Sequence, residues 1–334
     1  MSQYSFYKLH LSQYNQTSIL PLTEGEDTAK LKTAQATLSD IIGNHDYQLQ
    51  YNGKGGKTVT ALCDLLRNEQ DIFLLRVHHE ENVSIFDRVE QEGQVARCNH
   101  TTSLSYPYSY VIVDNREGRS LMGVQRSTLW SDPYNTVCSM MTEALQSSLR
   151  LHHELDLTSN SMMKPTEVWS YVHERCVEYH DAVEKIEIEL LNPTRYTPVD
   201  TGSDSTIADQ LFKMTRSIHA IKSLISIDTD TRVDFDTYRR NRDLAHIVSI
   251  GATNAFNLNF YFRDHGCYRC NENVPAVFEI DDKLVDDFIN RQTDLADGCD
   301  TPVYRMIQRL DEIDNQTKDY IDHATPRKKK KRTK

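Results

Sequence analysis

The chain has 334 residues, of which 38% are hydrophobic and 26% charged, the composition of a folded protein and more chain than one hydrophobic core usually serves. Nine prolines and twelve glycines are too few for a fibrous or low-complexity protein. The formal charge is −11, but Arg327, Lys328, Lys329, Lys330, Lys331, Arg332 and Lys334 place seven cations in the last eight residues, and −11 less that +7 leaves −18 on the remainder.

No apolar run approaches the ~20 residues that span a bilayer, and the first residues lack the basic flank and apolar block of a signal peptide. Seven scattered cysteines are not the dense, even set of a disulfide framework. A cytoplasmic protein with reduced thiols is expected.

In chain order, residues 1–10 alternate as a strand does, with Tyr4, Phe6 and the Lys8 stem on one face and Ser5, Tyr7 and Leu9 on the other. Residues 27–42 place Leu31, Ala34, Leu38, Ile41 and Ile42 at helical spacing before Gly43 and Asn44. Short branched or aromatic segments at 47–51, 72–78 and 83–89 read as strands, and residues 108–113 and 120–125 as a hairpin through Asp114 to Gly118. Residues 134–152 carry Val137, Met140, Met141, Ala144, Leu145 and Leu149 along one helical stripe. The polar stretch 157–165 reads as a connection.

Beyond it, helices are expected at 167–180, 205–217, 282–297 and 302–323, and strands at 185–191, 224–229, 256–262 and 276–280. The expected fold class is α+β, with two mixed α/β domains, 1–156 and 166–323, and a disordered basic tail, 324–334.

No complete catalytic motif is present, and no cofactor is expected. Gly53-Lys54-Gly55-Gly56-Lys57-Thr58 resembles a phosphate-binding loop ahead of a segment, 59–66, with helical potential. The first glycine that such a loop requires falls at Tyr51, so a glycine-rich hairpin turn is the stronger reading. His265, Cys267 and Cys270 have the spacing of half a zinc site, against which stands a reduced thiol pair in a loop. Asp264, Asp281 and Lys283 follow two strands in the grammar of metal-dependent nucleases, where two carboxylates hold magnesium and a lysine meets charge developing at phosphorus. Asp281 and Asp282 equally suit the start of a helix. The adjacent pairs His78-His79 and His152-His153 point apart on any regular backbone and are expected at the surface.

Cations concentrate at the tail and at Arg239-Arg240-Asn241-Arg242. A lysine run of this density is either solvated or meets an anion, while the acidic body argues against a broad phosphate-binding face.

The order of elements in the first half resembles the RexA-like phage-exclusion proteins: a tyrosine-rich opening strand, a helix, the segment 47–58 with its Asn-Gly and Gly-Lys-Thr, the Tyr106-Pro107-Tyr108 hairpin, and the helix after Tyr134. In the second half, residues 184–193 (EKIEIELLNP) followed by 207–218 are similar to the start of that family's smaller swivelling domain. The resemblance implies a cytosolic homodimer that binds duplex DNA without sequence preference and senses infection for a membrane-protein partner. Arg239, Arg240, Arg242 and the tail are then the expected DNA contacts. The alternatives are a metal-dependent nuclease using Asp264, Asp281 and Lys283, and a protein-interaction scaffold.

Overall fold

A computed structural model describes residues 1–14, 24–45, 47–52, 58–89, 97–128, 130, 135–191, 214, 222–229, 251, 252, 254–273, 276–290 and 301–318, and it has the expected α+β mix. The strands are β1 (Ser2–Gln13), β2 (Leu49–Asn52), β3 (Thr58–Glu69), β4 (Ile72–His78), β5 (Glu81–Val89), β6 (Arg97–Ser105), β7 (Tyr108–Asp114), β8 (Leu121–Gln125), β9 (Leu155–Ser161), β10 (Val183–Leu191), β11 (Lys222–Asp228), β12 (Asn257–Phe262), β13 (Gly266–Arg269) and β14 (Val277–Ile280). The helices are α1 (Glu24–Asn44), α2 (Thr136–His153), α3 (Pro165–His173), a single turn α4 (Cys270–Asn273), α5 (Asp282–Asn290) and α6 (Pro302–Lys318). A π-helical turn, Glu174–Glu178, continues α3.

The largest sheet has eight strands in the order β14-β1-β8-β7-β4-β3-β2, with β9 also on β1. Its pairings are antiparallel. β1 gives one edge to β8 over Tyr4–Lys8 and shares the other between β14, paired over Ser2–Ser5, and β9, paired over Tyr7–Gln13. The seam between those two is closed by backbone hydrogen bonds from Phe6 N–H to Ala276 O, Met162 N–H to Phe6 O and Ala276 N–H to Met162 O.

At its centre this sheet is covered on both faces, which is why β4 reads Ile72-Phe73-Leu74-Leu75 without alternation, all four buried. Leu9, Phe73, Leu75, Val111, Val113 and Met122 pack under α1 and α2. Tyr4, Phe6, Ile72, Leu74, Ile112 and Leu121 pack under Val285 and Phe288 of α5 and Met306, Leu310 and Ile313 of α6. Each such fully buried aliphatic or aromatic side chain contributes about 1.5–3 kcal/mol.

The β7–β8 turn fastens both helical layers. Asn115 Nδ2 donates to Gln35 O of α1 at 2.7 Å, and Gln35 Nε2 donates to Arg119 O at 2.7 Å. On the other side Arg116 bridges buried Asp114 (2.7 Å) and Asp311 of α6 (2.9 Å), while Arg119 reaches Asp311 and Asp314.

A second, four-stranded sheet runs β11-β10-β12-β13. Among the described residues one face is covered: Ile186, Ile188, Leu258, Phe260 and Phe262 pack with Val168 and Val172 of α3. Its strands therefore alternate, as in Leu258, Phe260 and Phe262 buried against exposed or half-buried Asn257, Asn259 and Tyr261. β5 and β6 form a separate two-stranded ribbon with nine residue pairs.

Two expectations change. The polar stretch 157–165, expected as an interdomain connection, contains most of β9, and residues 277–318 complete the large sheet and its helical layer instead of joining the four-stranded sheet. A cut between residues 156 and 166 therefore does not separate the two sheets. Residues 59–66, credited with helical potential, lie in β3. Among the described residues, no helix is long and apolar enough to cross a membrane.

Candidate nucleic-acid interface

Of the residues expected to form a nuclease site, Asp264 belongs to the four-stranded sheet, whereas Asp281 and Lys283 stand together at the start of α5, after β14 of the large sheet. Asp264 lies in the β12–β13 turn, where its N–H donates to Asp181 at 3.1 Å. Asp281 precedes α5 and accepts from the Lys283 N–H at 3.1 Å, while its carbonyl takes the Val285 N–H at 3.2 Å. It caps the helix, as the competing reading had it. Asp282 is occupied by the chain's amino terminus at 2.8 Å.

The half zinc site is not assembled either. Cys267 is exposed on β13, whereas Cys270 is fully buried in the core of the four-stranded sheet, and burial drives its thiol pKa well above the usual range. His265 is committed to Asp181. Among the described residues, no group of three or more histidines, cysteines or carboxylates is placed to hold a metal.

Asn52 and Thr58 pair as the last rung of the β2–β3 hairpin. The segment after the glycine-rich loop is thus a strand, and a phosphate loop's helix N-terminus is missing there; residues 53–57 themselves lie outside the described residues. Arg239, Arg240, Arg242 and the whole tail, Arg327, Lys328, Lys329, Lys330, Lys331, Arg332 and Lys334, also lie outside them. His152 and His153 are exposed at the end of α2, where cations suit the helix dipole.

One end of the large sheet escapes the α5–α6 layer. Directly opposed residues on antiparallel strands share a face, and the register sets Leu62, His78 and Tyr108 in one row and Asp64, Arg76 and Tyr110 in the next. The row that follows contains Leu74 and Ile112, already under the helices. On this uncovered end Leu62 is 53%, Tyr106 52% and Tyr108 44% exposed. His78 meets Tyr106 edge-on at 6.1 Å, and the rings of Tyr108 and Tyr110 lie 5.1 Å apart.

The polar groups hold the aromatic ones in place. Arg76 donates from Nε at 3.0 Å and Nη2 at 2.6 Å to one oxygen of Asp64, which His78 Nε2 approaches at 3.2 Å. The Arg76 bonds keep the Asp64 carboxyl below the usual carboxylate range. Burial, then the hydrogen bond with Tyr108, pushes the Tyr110 hydroxyl up to about 12. His78 Nδ1 is buried without a partner. Behind the row, Trp130 anchors β7 through Nε1 to Ser109 Oγ at 2.8 Å.

Half-exposed rings fixed on a rigid sheet beside a clamped guanidinium are suited to stacking flat π-systems. Sequence reasoning did not single out this face. Its signal was the period-two run Tyr106, Tyr108, Tyr110. Compared with known proteins, the chain matches no family model, no curated protein and no solved structure.

Proposed function

We propose that the chain is a nucleic-acid-binding protein without a catalytic step of its own, acting as the sensing component of a phage-exclusion system. The observation that carries this reading is the uncovered row of tyrosines beside Arg76 and His78, a surface on which bases stack at about 1–3 kcal/mol each whatever their sequence. Arg76 is neutralised by Asp64, so attraction for phosphates has to come from elsewhere. The tail supplies it, with seven cations in eight residues. Stacking at the sheet and charge at the tail together give binding with little sequence preference. A cytoplasmic homodimer working with a membrane-protein partner belongs to the same reading, through the resemblance to the RexA-like proteins.

The test is a salt titration of DNA affinity with the intact chain, a chain lacking residues 327–334, and Tyr106→Ala/Tyr108→Ala. Removing a cation that neutralises one phosphate lowers the log–log salt slope by about 0.7–0.9, so the truncation flattens it. The tyrosine variant is expected to weaken binding by about tenfold or more at unchanged slope. Binding that neither change affects would refute this reading; absence of binding by the intact chain would leave the interaction scaffold.

A further inference from the structure

A separate group of unusual residues surrounds the turn between β12 and β13. Asp181, just ahead of β10, has a side chain with 0% exposure. It accepts from the backbone N–H groups of Ala182 at 2.8 Å and Asp264 at 3.1 Å, and from His265 Nδ1 at 2.5 Å. Burial opposes its charge, but the bonds from His265 and the two backbone donors outweigh it and hold the carboxyl below the usual range. An ionised carboxylate can only accept, so His265 Nδ1 carries the proton. The opposite nitrogen, Nε2, belongs to a ring that is 40% exposed.

The π-helical turn Glu174–Glu178 brings a cation to the same place. The Arg175 guanidinium lies over the ring of Tyr171 at 5.0 Å and of Tyr179 at 4.8 Å, and Arg175 Nε donates to Tyr171 OH at 3.0 Å. The Tyr179 ring in turn stands edge-on to His265 at 6.0 Å, and the Asp181 N–H donates to the Arg175 carbonyl at 3.1 Å.

In this acidic protein arginines are generally neutralised. Arg67, Arg76, Arg116, Arg119, Arg150, Arg263, Arg269, Arg305 and Arg309 each pair with a carboxylate. Arg175 makes no ion pair with a carboxylate among the described residues; its planar fork is held by Tyr171 and Tyr179, and Glu174 acts on its charge only from a distance.

We propose that Arg175 and His265, gathered around Tyr179 and with His265 oriented by buried Asp181, form a binding site for a phosphate group. The guanidinium offers paired N–H donors matched to phosphate oxygens. His265, its ring fixed through Nδ1 by Asp181, adds an Nε2–H donor in its imidazolium form. The phosphate belongs either to the end of a nucleic-acid strand or to a free nucleotide. The site stands independently of the stacking face, because the two lie on different sheets.

Calorimetric titration of the full chain with adenosine monophosphate and with adenosine tests the chemistry, and NMR of the His265 imidazole places it. Adenosine monophosphate is expected to bind and shift the His265 resonance, with adenosine at least about tenfold weaker, and Arg175→Gln or His265→Gln each to lose about tenfold or more with an unchanged circular dichroism spectrum. An oligonucleotide with a 5′-phosphate, compared with its 5′-hydroxyl form, identifies the source: a preference for the phosphorylated end marks a strand terminus, and equal affinity with retained nucleotide binding marks a free nucleotide. Failure of adenosine monophosphate to bind, or binding that both variants retain, overturns the proposal.

Discussion

Replacing Gly123 by alanine tests how tightly the large sheet is packed under its C-terminal helices. Gly123 of β8 sits opposite Phe6 of β1. A Cβ there would lie 2.7 Å from Phe6 Cζ, 2.9 Å from Cε1 and 3.2 Å from Cε2, well inside the ~3.5–4.0 Å at which carbon atoms attract. The ring has little room to move, since Phe6 is fully buried and meets Phe278 edge-on at 5.7 Å and 82°. Overpacking of this kind costs about 1–3 kcal/mol, while alanine returns about 0.5–1 kcal/mol over glycine in a strand. Gly123→Ala is thus expected to lower stability by about 1–2 kcal/mol, seen as a lower urea midpoint at unchanged slope. In a Phe6→Leu background the same change should cost measurably less, by about 0.5 kcal/mol or more. A Gly123→Ala protein as stable as the parent, or the same cost in both backgrounds, would show that the ring yields and that the packing argument is wrong.

Burial lowers the His10 imidazole pKa to about 3. The folded chain then keeps this group neutral while the unfolded chain takes a proton below about 6.5, so stability falls with pH by up to about 1.4 kcal/mol per unit between about 6.5 and 3; His10→Gln should flatten that limb in urea titrations at pH 7 and pH 5. Asp114→Ala leaves Arg116 without its buried partner and should cost about 3 kcal/mol in denaturant unfolding, whereas a loss below about 0.5 kcal/mol would mean that Asp311 alone holds the turn to α6. Asp281→Ala removes a cap and should cost about 1 kcal/mol, with no magnesium-dependent plasmid cleavage present in either protein; cleavage by the parent that the variant lacks would restore the nuclease reading.

Much of the first sheet was legible because its signals are local. The alternation of residues 1–10, the stripe along α2 and the β7–β8 turn report burial through side-chain period alone. β9 was not legible: LDLTSNS carries a polar composition because it is joined to β1 chiefly by backbone bonds along an edge, for which sequence has no code. The spacing of His265, Cys267 and Cys270 allowed half a zinc site because a string of letters does not show that Cys267 lies on β13 while Cys270 opens α4 and turns into the core. The tyrosine row was visible as a period, but Tyr108 and Tyr110 differ from Ile112 on the same face only in where α5 and α6 end. Asp181 and His265 are 84 residues apart, and only the pairing of β10 with β12 brings their turns together.

The shared edge of β1 has a consequence for synthesis. The second residue of the chain waits for residue 280, and the apolar face of Tyr4, Phe6, Ile72, Leu74 and Ile112 waits for α5 and α6. At about 5–20 residues per second, a ribosome leaves that face uncovered for about ten seconds or more after its last strand has emerged. A nascent chain of this kind exposes an aggregation-prone surface until α6 has been made, so its yield in the cell should depend on chaperones that hold emerging chains and should fall when translation pauses between β8 and α6.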